Sequence, residues 1–224
     1  MKIMVIYANP KQGGFVHECL DHVSKRLAEK GATVDRLHLA EADIRDCGGC
    51  FHCLRTGECT IHDDMGSIID RMWSAEGFVT GASVRNGYFP ALYKRFYERI
   101  TYILGFGREL RGKHVLAIGA VGMATGKKHL GRLLTFHGFH MHVVGYLFRR
   151  TGIPTRLKAK DMVGLLDRAT DRLYGSVSSH AGLSLWARIG AMMEDFGIRK
   201  FMLQPNPDHV YDYVIEQWRK KGLM

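Results

Sequence analysis

Short apolar segments alternate with segments of helical periodicity along most of the chain, and this alternation is the feature that most constrains the fold. Parallel strands need crossover connections, which are usually helical, so the pattern predicts a parallel sheet covered by helices on both faces. The predicted strands are residues 3–7, 32–39, 77–82, 114–121 and 140–146. The predicted helices lie at about residues 19–27, 65–72, 90–103, 126–134 and 157–174.

Five such units predict an α/β fold, a flavodoxin-like three-layer sandwich whose five-stranded parallel sheet has the strand order 2-1-3-4-5. Residues 1–180 are predicted to form this domain, with a cysteine-rich insertion at residues 40–62. Residues 181–224 carry two further helical patterns and are predicted to form a C-terminal helical extension. With 224 residues, of which 46% are hydrophobic, the chain has enough apolar material for one substantial core.

The charge and the apolar distribution exclude several classes of protein. The formal net charge is +10, but Lys and Arg are spread along the chain without a nucleic-acid-binding motif. We therefore expect a solvated basic surface and no nucleic-acid partner. The first residues lack a signal-peptide pattern and no run of 18 apolar residues occurs, so we expect a cytoplasmic protein without a membrane segment.

The loop after the first strand, Asn9-Pro-Lys-Gln-Gly-Gly14, is rich in glycine and precedes a helix. In a doubly wound sheet the ligand lies at the carboxyl ends of the strands, and phosphate lies against helix N-terminal amides. Gly13 and Gly14 permit positive φ and close approach of the backbone, while Lys11 adds a positive charge. The loop therefore indicates a phosphate site, with a tight turn that binds nothing as the alternative.

Four of the five cysteines, Cys47, Cys50, Cys53 and Cys59, form the pattern C-x2-C-x2-C-x5-C. Three thiolates at two-residue gaps can wrap one corner of a [4Fe-4S] cubane, and the following loop can return a fourth ligand. A zinc ion held by four cysteines and a metal-free group of redox or structural thiols are the alternatives. Cys19 lies on the apolar face of the first helix and is interpreted as a core residue.

Three segments resemble the NAD(P)H-dependent FMN reductases and the related quinone reductases. Residues 8–15 resemble the FMN-phosphate loop, residues 81–87 the segment that cradles the isoalloxazine ring, and residues 119–126 the glycine loop at the polar edge of the ring. The cysteine motif and the Asp63-Asp64 pair after it resemble the archaeal and bacterial iron-sulfur flavoproteins. The FMN contacts that the resemblance implies are Asn9, Lys11, Gly13, Gly14, Phe15, Val16, Ser83, Val84, Arg85, Asn86, Gly119, Val121, Gly122 and Gly126.

Two positions depart from the family pattern. Phe15 and Val16 stand where many relatives have an asparagine and a hydroxyl residue, so backbone amides and Lys11 must carry more of the phosphate contact. Arg85 stands where relatives often have an aromatic residue. Our hypothesis is that its charge favours the anionic reduced flavin.

The resemblance implies an electron-transfer oxidoreductase that carries FMN and a [4Fe-4S] cluster on the four cysteines. It also implies a homodimer or homotetramer, with NAD(P)H as a possible electron donor and a small redox protein such as ferredoxin as a possible partner. The sequence shows no acid-base catalytic set, so no catalytic side chain is predicted. The alternatives are an NAD(P)H-dependent FMN, quinone or nitro reductase without a cluster, and a cysteine-based redox or metal sensor on the same scaffold.

Overall fold

A computed structural model of the chain describes residues 1–100, 109–121, 131, 133–136, 141–150, 159–202, 204 and 208–223. Within them lies one parallel sheet of five strands in the order β2-β1-β3-β4-β5. This confirms the predicted flavodoxin-like sandwich and its strand order. The strands are β1 Lys2–Tyr7, β2 Thr33–His38, β3 Gly77–Val84, β4 His114–Val121 and β5 His142–Arg150.

Helices cover both faces of the sheet. A short 3-10 turn, Ala159–Met162, leads into the fifth helix. The predicted helix at 126–134 falls largely outside the described residues. No helix in the described ranges has both the length and the apolar character needed to cross a membrane. The helices are α1 Phe15–Glu29, α2 His52–Thr56, α3 Met65–Ser74, α4 Ala91–Arg99, α5 Val163–Ser178, α6 Leu185–Met202 and α7 Asp212–Lys220.

The observed elements differ from the predicted ones in several bounds, and two of the differences concern β5 and the cysteine segment. Strand β5 continues four residues beyond the predicted end, because it pairs with β4 as far as Arg150, which lies opposite Val121. The extension comprises the apolar residues Leu147 and Phe148, which pack against the core, and then Arg149 and Arg150, which pair through their backbone. The second difference is α2, which was not predicted and which lies inside the cysteine segment.

The core consists of two hydrophobic clusters, one on each face of the sheet. Neighbouring residues of β3 point to opposite faces, as strand geometry requires, so Phe78 lies in one cluster and Val79 in the other. The first cluster also includes Phe96 of α4 and Trp218 of α7, and the second includes Leu166 of α5. Trp218 is fully buried, which makes the C-terminal helix part of the main core.

Candidate functional site

Two consecutive acidic residues close the base of the cysteine loop, which we define as residues 46–62. The Asp63 carboxylate accepts a hydrogen bond from the backbone N–H of Arg45 at 2.9 Å. The Asp64 carboxylate accepts one from the N–H of Asp43 at 2.8 Å, and the Asp64 N–H donates to the carbonyl of Asp43 at 3.0 Å. These hydrogen bonds therefore hold the two ends of the cysteine loop next to each other.

A buried ion pair lies beneath this closure. Arg99 donates two hydrogen bonds to Asp63, with an Nη1–Oδ2 distance of 2.6 Å and an Nη2–Oδ1 distance of 2.9 Å. The two side chains are only 1% and 0% exposed. Arg99 also donates to the carbonyl of Arg45 at 2.9 Å. Its Nε is buried and has no hydrogen-bond partner among the described residues.

Both members of this pair remain charged. Burial by itself raises the pKa of Asp63, but hydrogen bonds from Arg99 and from the backbone amides of Arg45 and Met65 outweigh it and hold the pKa below its usual range. Burial lowers the pKa of Arg99, but Asp63 and the nearby Cys59 outweigh it and raise the pKa. A permanent positive charge is therefore placed beside one of the four cysteines of the motif.

A second arginine of α4 contacts the same loop at the surface. Arg95 donates from Nε to Oδ1 of Asp46 at 2.7 Å, and these side chains are 44% and 83% exposed. Arg95 and Arg99 lie four residues apart on one side of α4. Helix α4 thus contacts the cysteine loop at two successive turns.

The four cysteines of the motif are all free thiols. Cys47 and Cys50 are exposed, while Cys53 and Cys59 are half-buried. Burial, and after it the charges of the other three cysteines, raises the pKa of Cys53 to about 11. A backbone hydrogen bond from His52 is the main cause of a lowered pKa at Cys50. Across the described ranges, no three Cys, His, Asp or Glu side chains are close enough together to hold a metal ion.

Left-handed residues bound the short helix α2. Phe51 precedes it with φ of 57° although it is not a glycine, and Gly57 ends it with φ of 84°. A Cβ atom on Gly57 would lie 2.5 Å from Cε2 of Tyr213 in α7. The C-terminal helix therefore packs directly on the cysteine loop, and only glycine fits at the contact.

Gly57→Ala is expected to destabilise the protein by more than the roughly 1–2 kcal/mol that a left-handed conformation costs an L-residue, because the Tyr213 ring must also move. Urea unfolding followed by circular dichroism measures the loss. Gly31→Ala is the matched control, since Gly31 has φ of 89° and open space around its Cβ position. Equal losses for the two variants would show that the Tyr213 contact contributes nothing.

At the carboxyl end of the central strands, a side-chain hydrogen bond joins the segments that end β1 and β3. Oδ1 of Asn9 accepts the backbone N–H of Ser83 at 2.9 Å. Farther along the first loop, Gly13 has φ of 73°, and Gly14 is the N-cap of α1 without a side-chain cap. Among the residues that the structure describes, a Cβ atom on either glycine would meet nothing within 4 Å. The N-cap residue therefore gives the first amides of α1 no side-chain acceptor.

The side chains of the next two residues of this loop belong to the hydrophobic core. Val16 is buried, and the half-buried Phe15 packs against the same cluster. That backbone amides, together with the exposed Lys11, provide the groups for an anion there stays a prediction.

The loop after β3 is a two-residue hairpin. The backbone N–H of Arg85 donates to the carbonyl of Tyr88 at 2.7 Å, and the N–H of Tyr88 donates back at 3.0 Å. Asn86 and Gly87 both have positive φ, 48° and 82°, as a type I′ turn requires. Sequence reasoning named Arg85 and Asn86 but missed Tyr88, although the Asn-Gly dipeptide is a strong hairpin signal.

The remaining residues predicted to contact the flavin are less exposed, as far as the structure describes them. Gly119 and Val121 lie in the buried strand β4, and a Cβ atom on Gly119 would lie 2.4 Å from Cε1 of Phe148. The absence of a side chain at Gly119 thus makes room for that ring. Gly122 and Gly126 lie outside the described residues. Of the predicted flavin contacts, Asn9 and Ser83 are joined by a hydrogen bond. Gly119 instead packs against the ring of Phe148.

Comparison with known proteins supplies the family. The family model of NADPH-dependent FMN reductase matches residues 1–149. An iron-sulfur flavoprotein of Methanosarcina thermophila is 26% identical over 149 residues, covering 66% of this chain and 76% of the relative. An iron-sulfur flavoprotein of Archaeoglobus fulgidus is 25% identical over 237 positions and is matched along 100% of both chains.

Solved structures show the same fold. A flavone reductase aligns with a TM-score of 0.63 at 15% identity, over 82% of this chain and 66% of its own. The apo form of an NADH:FMN oxidoreductase aligns with a TM-score of 0.58 at 19% identity, over 81% of this chain and 94% of its own. The parallel sheet and the loops at its carboxyl edge are consistent with the family match. The chain belongs to the NADPH-dependent FMN reductase family and is a flavin-dependent oxidoreductase.

Proposed function

We propose that this chain is an electron-transfer oxidoreductase that uses FMN and a [4Fe-4S] cluster. The observation that carries the proposal is a closed loop with four free thiols, attached to the helix that follows the flavin-side hairpin. Sets of four cysteines at such spacing are typical of iron-sulfur clusters. FMN, when bound, supplies hydride and single-electron chemistry, and a cluster, when bound, supplies single-electron transfer.

The residues around the first loop fit the phosphate group of FMN. The open backbone at Gly13 and Gly14 allows a ligand to approach without meeting a side chain. The uncapped start of α1 offers amide donors and the positive end of the helix dipole. Lys11 is exposed in the same loop and adds a charge of the required sign.

The hairpin fits the flavin ring. Tyr88 is 38% exposed and pairs with Arg85, so an aromatic face and a cation stand side by side at the carboxyl edge of the sheet. An aromatic side chain can stack on a planar ring, and a cation can stabilise a negative charge on it. Tyr88 therefore supplies the aromatic group that position 85 lacks.

The cysteine loop fits a cluster by the chemistry of its donors. The four thiols of the motif are free, and the buried guanidinium of Arg99 lies next to Cys59. Four cysteine thiolates are the usual ligands of a [4Fe-4S] cluster. The buried Nε of Arg99 also retains a donor that no described residue uses.

An anaerobic preparation tests the proposal. We would record the absorbance spectrum and quantify iron, sulfide, zinc and FMN per chain on one sample. About four iron atoms and four sulfides per chain, together with flavin, are expected. Zinc in place of iron, or protein that binds no flavin, would contradict the proposal.

A second candidate is an NAD(P)H-dependent reductase without a cluster. It is favoured because, among the residues that the structure describes, no three Cys, His, Asp or Glu side chains are placed so that they could hold a metal ion. Flavin without iron, and rapid hydride uptake from NAD(P)H by that protein, would support this candidate instead.

Asn9→Ala is expected to weaken FMN binding about 2- to 10-fold, because a typical hydrogen bond contributes about 0.5–1.5 kcal/mol and its loss frees the β3 loop. Fluorescence titration of the apoprotein with FMN measures the Kd. Gln12→Ala is the control, since Gln12 lies in the same loop as Asn9 and donates a 2.7 Å hydrogen bond at the surface to Glu41, which follows β2. A Kd unchanged in Asn9→Ala would remove this residue from the site.

A further inference from the structure

An open cavity of about 440 Å³ lies at the amino end of the sheet, at the opposite end of the strands from the loops predicted to contact the flavin. The end of α3, the start of β4 and the end of α5 form its walls. Its volume lies within the roughly 300–1,000 Å³ of small-molecule sites. The chemically active side chains on its walls are Trp73, Glu76, Arg111, Lys113, His114 and His180.

The last turn of α3 holds the side chain of Lys113 at the wall of this cavity. Its Nζ donates to the carbonyl of Met72 at 3.1 Å and to that of Trp73 at 2.5 Å. Its backbone is also held, because its N–H donates to the carbonyl of Leu110 at 3.1 Å and its carbonyl accepts the N–H of His142 at 2.7 Å. The half-buried amine therefore has a defined position beside the cavity.

This position suits a neutral, nucleophilic amine. An ammonium group has three N–H donors, whereas a neutral amine has two and a lone pair. The neutral form of Lys113 can keep both bonds to α3, and its lone pair then points away from the two carbonyls. Burial lowers the pKa of Lys113 from 10.5 to about 8 and outweighs the charges of Glu109 and Glu76, which raise it.

The charged groups around the cavity favour an anionic ligand. Arg111 is exposed at its rim, and the bond from its Nη1 to Asp195 at 2.7 Å uses one of the five N–H donors of the guanidinium. The carboxylate of Glu76 already accepts the backbone N–H of Lys2 at 2.9 Å. A phosphate group at the cavity would therefore meet a permanent cation in Arg111.

Two histidines face the same cavity from β4 and from the end of α5. His114 is buried, and its Nδ1 lies 2.9 Å from Oγ of Ser176. Burial, and after it the charges of His142 and His180, lowers the pKa of His114 to about 4. His114 is therefore neutral at neutral pH, and His180 is exposed.

We propose that Lys113 is an acylation site, at which an acyl phosphate binds with its phosphate at Arg111 and transfers its acyl group to Nζ. The lone pair of Nζ forms a bond to the acyl carbon, the bond from that carbon to the phosphate oxygen breaks, and its electron pair leaves with the phosphate. The nitrogen releases its extra proton to solvent. The amide product has one N–H and no charge, so α3 loses a hydrogen bond and a cation at its C-terminal carbonyls. This inference is independent of the cofactors.

Incubation of the full chain with acetyl phosphate, followed by peptide mass spectrometry, measures the rate of acetylation at each lysine. At pH 8 Lys113 is expected to react roughly 10-fold faster than Lys25 of α1, which is 79% exposed. A pKa near 8 makes the neutral amine roughly 100-fold more abundant than at the ordinary pKa of about 10.4, and a lower intrinsic nucleophilicity offsets part of this gain, as it does for thiols. The rate at Lys113 is expected to level off above about pH 8.

Arg111→Gln tests the contact with phosphate. With acetyl phosphate the variant is expected to acetylate Lys113 several-fold more slowly than the wild type, whereas with N-acetoxysuccinimide, which has no phosphate, the two should react alike. Lys25 provides the internal control for both reagents, and circular dichroism checks the fold. Acetylation of Lys113 no faster than that of Lys25, or a rate that still rises above pH 9, would overturn the assignment of the nucleophile. An equal loss with both reagents would overturn the phosphate contact.

Discussion

Replacing Arg99 with methionine is expected to lower the free energy of unfolding by about 3–5 kcal/mol, because the substitution leaves a buried carboxylate without its partner. Asp63 is 0% exposed and receives both terminal nitrogens of Arg99. Urea unfolding followed by circular dichroism measures the change. A smaller loss in stability is expected once Asp63→Asn is combined with Arg99→Met, since the uncompensated charge is then removed.

The control comes from the same helix. Arg95 and Asp46 form an ion pair of nearly the same length, 2.7 Å against 2.6 Å for Arg99 and Asp63, but at the surface. Arg95→Met is therefore expected to cost no more than about 1 kcal/mol. If both arginine variants lost the same amount, burial would not be the reason for the importance of Arg99.

The stability that Arg99 contributes is expected to depend on pH in one direction. The pKa of Asp63 is held below its usual range, so the folded state favours the ionised form. The contribution is complete above the ordinary carboxyl pKa of about 3.9 and is lost as the pH falls through the lower pKa of the folded state. Without Arg99 the Asp63 carboxyl loses the main cause that lowers its pKa against burial, so the difference between wild type and Arg99→Met should grow as the pH rises through the carboxyl range and shrink in acid.

Cys53→Ser is expected to reduce iron from about four atoms per chain to nearly none after anaerobic reconstitution, because a cluster of this type needs four thiolate ligands. FMN content should stay at the wild-type level, since the loops after β1 and β3 do not contain this residue. Iron, sulfide and flavin assays on the same sample give all three values.

Cys19→Ala provides the comparison for this experiment. Cys19 is buried in α1 in the cluster on the other face of the sheet, and burial raises its pKa to about 12. The variant is expected to keep its iron. Iron retained in Cys53→Ser, or lost equally in both variants, would contradict the assignment of ligands.

The strands could be located from the sequence because buried parallel strands appear as nearly continuous apolar runs. The predicted strand at 114–121 coincides with β4, all of whose residues are buried. The last two residues of β5, Arg149 and Arg150, were not predicted because they are polar while their backbone still pairs with β4. A run of apolar residues indicates where a strand is buried, but it does not show at which residue an edge strand ends.

From the sequence, the candidate site could be predicted only where its residues lie close together along the chain. The glycine loop and the cysteine motif are contiguous in sequence, so a local pattern pointed to each of them, with the family resemblance needed to assign the glycine loop to FMN. Arg99 contacts Asp63 across 36 positions, and no local pattern announces such a pair. Tyr88 lies within reach of a local rule, because a two-residue Asn-Gly turn makes it the partner of Arg85.

The packing of α7 on the cysteine loop bears on the order of events during synthesis. A growing chain emerges from its N-terminus, so the thiols of residues 47–59 leave the ribosome long before residues 212–220. Until Tyr213 reaches Gly57 and Trp218 enters the core, the helix that contains Cys53 lacks one of its packing surfaces. A chain that lacks α7 would therefore carry all four thiols but not the finished loop.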